Sequence, residues 1–231
     1  MLADGGSARG SGSRAARGGA AVIKVILCDD HTLILRGLRE LLSSSPGIAV
    51  VGEATDYGSL RTLVRDVHPD VVVLDINLPG RSGLEALASL NELEQPPRVL
   101  MLSQFAEDQY GLRALRAGAM GYLNKSCDPA LIVEAVRQIA AGRKYVTSEL
   151  AHLLLDAVTG HTTAKPHESL SEREMQVLLL IASGKRLSVI AERLVLSPKT
   201  VSVYRARILE KRSLASNAEL AAYALRHHLI E

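Results

Sequence analysis

The chain has 231 residues, 47% of them hydrophobic and 23% charged, with a formal net charge of +2. That length suggests one large domain or two small ones, and the composition excludes wholesale disorder. No apolar run approaches the roughly 20 residues of a membrane span, two cysteines cannot make a disulfide framework and fit a reduced, cytoplasmic compartment, and the lack of Trp beside a single Phe argues against a base-stacking platform for single strands.

Charge divides along the chain. Residues 22–145 hold 13 Lys/Arg against 15 Asp/Glu, net −2, and residues 169–231 hold 10 against 6, net +4. A mildly acidic front and a basic back predict two jobs, the second on nucleic acid.

Residues 1–21 are Gly, Ser, Ala and Arg with almost nothing to bury, and predict a disordered tail without the apolar stretch of a signal peptide. From residue 22 to 145, short apolar runs at Ile23–Cys28, Ile48–Val51, Val71–Leu74, Val99–Leu102 and Ala119–Leu123 alternate with helix-like segments at Thr32–Leu42, Gly58–Val67, Gly83–Leu93, Asp108–Ala117 and Pro129–Ala141. Continuous apolar strands interleaved with amphipathic segments predict a doubly wound, five-stranded parallel sheet buried on both faces. Its ligands belong just beyond the carboxyl ends of the strands. Residues 146–168 predict a linker that carries one helix, Ser148–Val158, followed by the polar stretch Thr159–Glu168. Residues 169–231 predict four helices. Ser171 and Glu174 form a capping box for the first, which Gly184 ends; Leu187–Leu194 is the second; Ser197-Pro198 opens the third, to Arg212; Asn217–Arg226 is the fourth.

The strand ends carry the chemistry. Asp29 and Asp30 follow the first strand and Asp75 ends the third, and these strands are neighbours in a doubly wound sheet. Three converging carboxylates are costly without a counter-charge, and Mg²⁺, which prefers oxygen ligands, supplies one. The fourth strand ends at Ser103 and the fifth is followed by Lys125. A carboxylate, a hydroxyl, an ammonium and a metal suit phosphoryl transfer to Asp75. The plainer alternative is that Asp29 and Asp30 only cap the next helix. In the basic half, Leu187–Leu194 and the helix opening at Pro198 make a helix-turn-helix whose second helix would lie in the major groove. Val201, Ile208, Leu209 and part of Tyr204 form its apolar face, and Lys199, Ser202, Val203 and Ala206 project outward with Arg205 and Arg207 flanking. An ordinary solvated basic helix is the alternative.

ILCDDH, VVVLDINLPGRSG, VLMLSQFAED and AGAMGYLNKS stand in order at the spacings of a bacterial receiver domain, and the chain from LSEREMQV to LRHHLI resembles a LuxR-type helix-turn-helix. The whole resembles the NarL/FixJ family of two-component response regulators, with a CheY-like receiver. That resemblance implies that Asp75 accepts a phosphoryl group from a sensor histidine kinase, and that Asp29, Asp30, Asp75 and the carbonyl of Asn77 hold Mg²⁺. It implies that Lys125 contacts phosphoryl oxygens, that Ser103 moves toward them, and that Tyr122 then turns inward. In the basic half it implies groove contacts from Lys199, Ser202, Val203 and Arg205, and phosphate contacts from Thr200, Tyr204 and Arg207. It further implies a homodimer through Asn217, Leu220, Ala221 and Ala224 on double-stranded DNA with an inverted repeat. The chain departs from the family at Val189, where an acidic residue is usual, and at Arg212, where Leu is usual and the guanidinium must snorkel out.

The resulting expectation is a non-enzymatic transcription regulator switched by phosphorylation. Its rivals are a DNA-binding protein indifferent to phosphorylation and a haloacid-dehalogenase-type phosphatase, which would want a second Asp where Asn77 stands. Cys28 reads as core and Cys127 as a passive thiol, and the scattered histidines offer no zinc set.

Overall fold

The computed structural model describes residues 22–159, 170–227 and 229–230. The expected tail, 1–21, and the polar part of the linker, 160–168, lie outside the described residues. Five strands, β1 (Ile23–Cys28), β2 (Ile48–Ala54), β3 (Val71–Leu74), β4 (Arg98–Ser103) and β5 (Gly121–Asn124), form one parallel sheet in the order β2-β1-β3-β4-β5. The helices between and after them are α1 (Thr32–Ser43), α2 (Tyr57–Val67), α3 (Gly83–Asn91), α4 (Glu107–Arg116) and α5 (Pro129–Ala140).

Alternation along the buried strands assigns each residue to one of two layers. Val25, Leu27, Val71 and Val73 face α1 and α5, packing on Leu35, Leu38, Leu42, Ile132 and Ile139. Ile26, Cys28, Val72 and Leu74 face the other way, onto the layer of α2, α3 and α4. The edge strand β2 runs three residues beyond the expected Val51, because its pairing with β1 resumes after a register shift between Val25 and Ile26. The order places β1 beside β3, and the Asp75 amide donates to the Cys28 carbonyl at 2.9 Å, so the acidic ends of both strands share one rim.

The loop after β3 closes sharply. The Gly83 amide donates to the Ile76 carbonyl at 2.7 Å, and a Cβ at Gly83 would stand 2.0 Å from the Asp75 carbonyl oxygen. Only glycine permits that approach. Ser82 and Glu85 then start α3 with a reciprocal capping box.

Helix α6 (Ser148–Thr159) lies on α4. Leu150 is fully buried there, pressed into the notch left by Gly111, and the Thr147 hydroxyl bonds the Glu107 carboxylate while accepting the Leu150 amide. The helical half comprises α7 (Glu172–Ala182), α8 (Leu187–Leu194), α9 (Pro198–Arg212) and α10 (Asn217–Arg226). Ser171, Ser197 and Ser216 each accept the amide three residues on, which fixes three helix starts. The turn between α8 and α9 passes through Val195 at φ 53°, where a β-branched residue costs about 1–2 kcal/mol. No described helix is long and apolar enough to cross a membrane.

Candidate functional site

The acidic rim is a buried, tightly paired cluster. Asp29 and Asp75 are each 2% exposed, and Asp30 is half-buried. Lys125, just past β5, places Nζ 2.6 Å from Asp29 Oδ2 and 3.2 Å from Asp75 Oδ2. The Lys125 amide donates to the Ser103 carbonyl at 2.7 Å, which fixes where the side chain leaves the sheet. Burial pushes the Asp75 carboxyl up to about 6, with Asp29 and Asp30 adding to the rise and Lys125 opposing it.

The capping alternative does not describe this geometry. The N-cap of α1 is His31, without a side-chain cap. Asp29 Oδ1 instead accepts the His31 amide at 2.9 Å and lies 3.0 Å from His31 Nδ1, which is also 2.8 Å from Asp30 Oδ1. Candidate ligand atoms of Asp29, Asp30, His31 and Asp75 all lie within 4.8 Å of one another. Asp75 Oδ1 is buried and accepts no hydrogen bond among the described residues. A predominantly carboxylate set with a buried, unused acceptor fits a small divalent cation such as Mg²⁺. His31 is the member that sequence reasoning missed. Its position directly after the paired aspartates was the available signal.

Around the carboxylates, Ser103 is fully buried and its Oγ accepts the Phe105 amide at 3.3 Å. Tyr122 is fully buried and its hydroxyl donates to the Phe105 carbonyl at 2.7 Å. Asn124 donates to the same carbonyl at 3.1 Å, so the loop after β4 is held from β5. Asn77 and Asp30 lie together on the wall of a cavity of about 160 Å³. Cys28 behaves as core: burial pushes its thiol well above the usual range, and the neighbouring carboxylates add to the rise.

In the helical half, α9 buries Val201, Ile208 and Leu209 and exposes Lys199, Ser202, Val203, Ala206 and Arg207. Val203 is 44% exposed, an apolar side chain presented to solvent among cations. Thr200, Tyr204 and Arg205 are half-buried, and Arg205 Nε donates to the Asn217 side chain across to α10. Arg212 is half-buried and Val189 is exposed.

One expectation needs correcting. Leu220 and Ala224 are fully buried within the chain's own helical core, where α10 packs on α7, so neither is available to a second copy. Asn217 is engaged with Arg205. The solvent-facing side of α10 runs through Ala218, Ala222 and Leu225, with Ala221 at its edge. An apolar helix stripe reads the same in sequence whether it faces a core or a partner.

Sequence comparison agrees with both halves. Residues 25–137 match the family described as response regulator receiver domain, and residues 168–224 match bacterial regulatory proteins, luxR family. Response regulator GacA of Pseudomonas aeruginosa is 38% identical over 211 residues, covering 91% of this chain and 99% of that protein. Response regulator UvrY of Escherichia coli K12 is 37% identical over 209 residues, covering 90% and 96%. Among solved structures, a LuxR-family two-component response regulator from Aurantimonas sp. SI85-9A1 aligns with TM-score 0.56 and 36% identity over 60% of this chain and 99% of that one. RcsB of Salmonella typhimurium aligns with TM-score 0.66 over 88% and 96% at 23% identity, a likeness of fold.

Proposed function

The chain belongs to the two-component response regulators that join a receiver domain to a LuxR-type DNA-binding domain, and on that footing we propose that phosphorylation of Asp75 by a sensor histidine kinase controls its binding to specific DNA. A histidine kinase and DNA are the partners such a pair of domains serves. The observation that carries the finer reading is Asp75 itself: buried, with one carboxylate oxygen beside Lys125 and the other accepting nothing among the described residues. We assign residues 22–145 to the receiver, 146–168 to the linker and 169–231 to the DNA-binding unit of a cytoplasmic regulator that is not an enzyme.

The chemistry follows from the donor set. A carboxylate oxygen of Asp75 attacks phosphorus, the N–P bond of the kinase's phosphohistidine breaks, and the electron pair remains on the imidazole nitrogen. Asp29, Asp30, Asp75 and the Asn77 carbonyl would hold Mg²⁺, which when bound supplies positive charge for the phosphoryl oxygens. Lys125 already stands between Asp29 and Asp75 and neutralises charge on the same side. Ser103, at the end of β4, offers its hydroxyl to a phosphoryl oxygen. On the DNA, Lys199, Ser202, Val203 and Arg205 reach or border the groove, and Thr200, Tyr204 and Arg207 hold phosphates. A two-fold dimer on an inverted repeat fits this mode, with Asn217 exposed and Ala221 half-buried among the proposed contacts on α10.

The test is DNA affinity for one inverted-repeat site at fixed salt, with and without acetyl phosphate and Mg²⁺, in wild type and Asp75→Asn. The donor tightens wild-type binding and leaves the variant unchanged, and the mass of one phosphoryl group is added only to wild type. Equal affinity under all four conditions would leave a DNA-binding protein indifferent to phosphorylation. Sustained hydrolysis of small phosphate esters would point to a phosphatase.

A further inference from the structure

One nitrogen in the acidic pocket stands between two carboxylates and can serve only one of them. His31 Nδ1 lies 3.0 Å from Asp29 Oδ1 and 2.8 Å from Asp30 Oδ1. A ring nitrogen carries at most one hydrogen, so it donates along one of these lines. That line runs to Asp29. Asp30 Oδ1 is buried and accepts no hydrogen bond among the described residues, and neither does Asp75 Oδ1. Lys125 is placed elsewhere, with its ammonium against Oδ2 of Asp29 and Oδ2 of Asp75. Two buried carboxylate oxygens left unserved beside an imidazole call for a cation.

The spacing is that of a coordination shell. Bonds of about 2.0–2.2 Å to a first-row divalent cation put ligands at right angles about 2.8–3.1 Å apart. Nδ1 keeps that distance from both oxygens. One ligand atom from each of Asp29, Asp30, His31 and Asp75 lies within 4.8 Å of all the others. The segment is also fixed locally: the His31 amide donates to Asp29 Oδ1 at 2.9 Å, and His31 is extended where it precedes α1. The imidazole side chain is 36% exposed, so an ion arriving from solvent reaches it. The donor class matters as much as the spacing. Carboxylates alone suit Mg²⁺, whereas imidazole suits transition metals such as Zn²⁺.

We infer that His31 is itself a metal ligand of the acidic pocket, and that its nitrogen makes the pocket take Zn²⁺ in preference to Mg²⁺. The inference rests on the reading of this pocket as the divalent-cation site beside Asp75. Ligation needs the neutral ring with its proton on Nε2, which leaves the Nδ1 electron pair to the metal. Asp29 Oδ1 then loses the hydrogen bond from the ring and keeps the one from the His31 amide. Mg²⁺ gains little from the imidazole, because it prefers oxygen and retains several waters. Zn²⁺ gains a full ligand of a type it favours. The cation in the pocket therefore follows the supply of transition metal, and not that of Mg²⁺ alone.

The test is displacement of Mn²⁺ from the full-length chain, read by the electron paramagnetic resonance signal of the released ion. Mg²⁺ or Zn²⁺ is the competitor, with free Zn²⁺ fixed by a buffer that does not hold Mn²⁺, so zinc taken up at other histidines and at cysteines does not enter the readout. The quantity compared is the ratio of the Mg²⁺ to the Zn²⁺ concentration that displaces half the Mn²⁺, from which any change in Mn²⁺ affinity cancels. His31→Asn puts an amide near the place of Nδ1: it keeps a hydrogen-bond donor for the carboxylates and offers no imidazole nitrogen. In wild type the ratio is expected to be at least about a hundred, and in His31→Asn to fall at least about tenfold. The Mg²⁺ concentration itself is expected to move less than about threefold. An unchanged ratio overturns the proposal, including the case in which both cations weaken together, which would make His31 a positioning residue for the carboxylates and nothing more. His31→Ala is expected to reproduce the lowered ratio, and a wild-type ratio there overturns the proposal even if the asparagine variant does not fold. A wild-type chain that binds no Mn²⁺, or an Asp30→Asn chain that binds it as tightly as wild type, removes the cation site and the inference with it.

Discussion

The acidic pocket and the α9 surface carry out their work under opposite physical conditions. The pocket draws Asp29, Asp75, Ser103 and Lys125 from four strand ends that are far apart in sequence, and it buries them until they must pair with one another. The α9 surface takes its residues from one helix, leaves them in water, and gives few of them a partner inside the chain. Interactions in a buried site are strong and every group is interdependent. Those of an exposed helix are screened, nearly additive, and wait for the phosphate charge of DNA. The same substitution, removing one cation, therefore has different consequences in the two places.

Lys125→Met tests that difference at its largest. Among the described residues the ammonium bridges Asp29 and Asp75. Its loss is expected to lower the rate of Asp75 phosphorylation about a hundredfold, the scale for removing one preorganised charge-stabilising group. DNA affinity of the unphosphorylated chain is expected to stay unchanged, and a parallel fall there would erase the contrast between the two regions. Gly83→Ala comes next. An added Cβ meets the Asp75 carbonyl oxygen at 2.0 Å, so backbone must move at the phosphoacceptor itself. A loss of about 3 kcal/mol in receiver stability by denaturant titration is expected, at the upper end of overpacking costs.

Both residues show what could be read in the sequence and what could not. Each strand was legible because an uninterrupted apolar run, such as Val71–Leu74, has to be buried on both faces, and Asp29, Asp75 and Ser103 were legible as the first polar group after such a run. Two helix starts were legible because Ser171 and Ser197 cap locally. Gly83 was not: a glycine in GRSG reads as turn chemistry, and its true constraint is a backbone carbonyl eight residues earlier. His31 was hidden because its two carboxylate partners are fixed only once β1 ends. Leu220 and Ala224 were assigned to a partner by resemblance, which points to the helix but not to what covers each of its faces. Arg173 and Gln176 carried no signal at all, since their acceptors are main-chain carbonyls nearly a hundred positions away.

On the exposed side the effects shrink. Arg207→Ala removes one proposed phosphate contact from a solvent-facing position. It is expected to weaken binding to specific and unrelated DNA by a similar factor, about tenfold at low salt, and to reduce the magnitude of the log affinity–log salt slope by about 1. Loss confined to the specific site would make Arg207 a base reader instead and move it to the groove side of α9.

The smallest expected effect joins the two behaviours in one pair. Glu174 closes the capping box of α7 and also accepts Lys211 Nζ from the end of α9 at 2.6 Å. Burial pushes its carboxyl up, but the Lys211 ammonium and the Ser171 amide and hydroxyl outweigh burial and hold it below the usual range. A carboxyl depressed in the folded state contributes stability above its unfolded value, near 4.3, and loses that contribution as pH falls through the folded value. Because Lys211 is 41% exposed, its share is screened to about 0.5–1 kcal/mol. Lys211→Met is therefore expected to lower the thermal midpoint of the helical half by a few degrees at pH 7. The gap to wild type closes as acid protonates Glu174. A gap that persists at low pH would mean that the lysine stem, packed along α7, stabilises the site rather than its charge, and would place this pair with the buried cluster rather than with the screened surface.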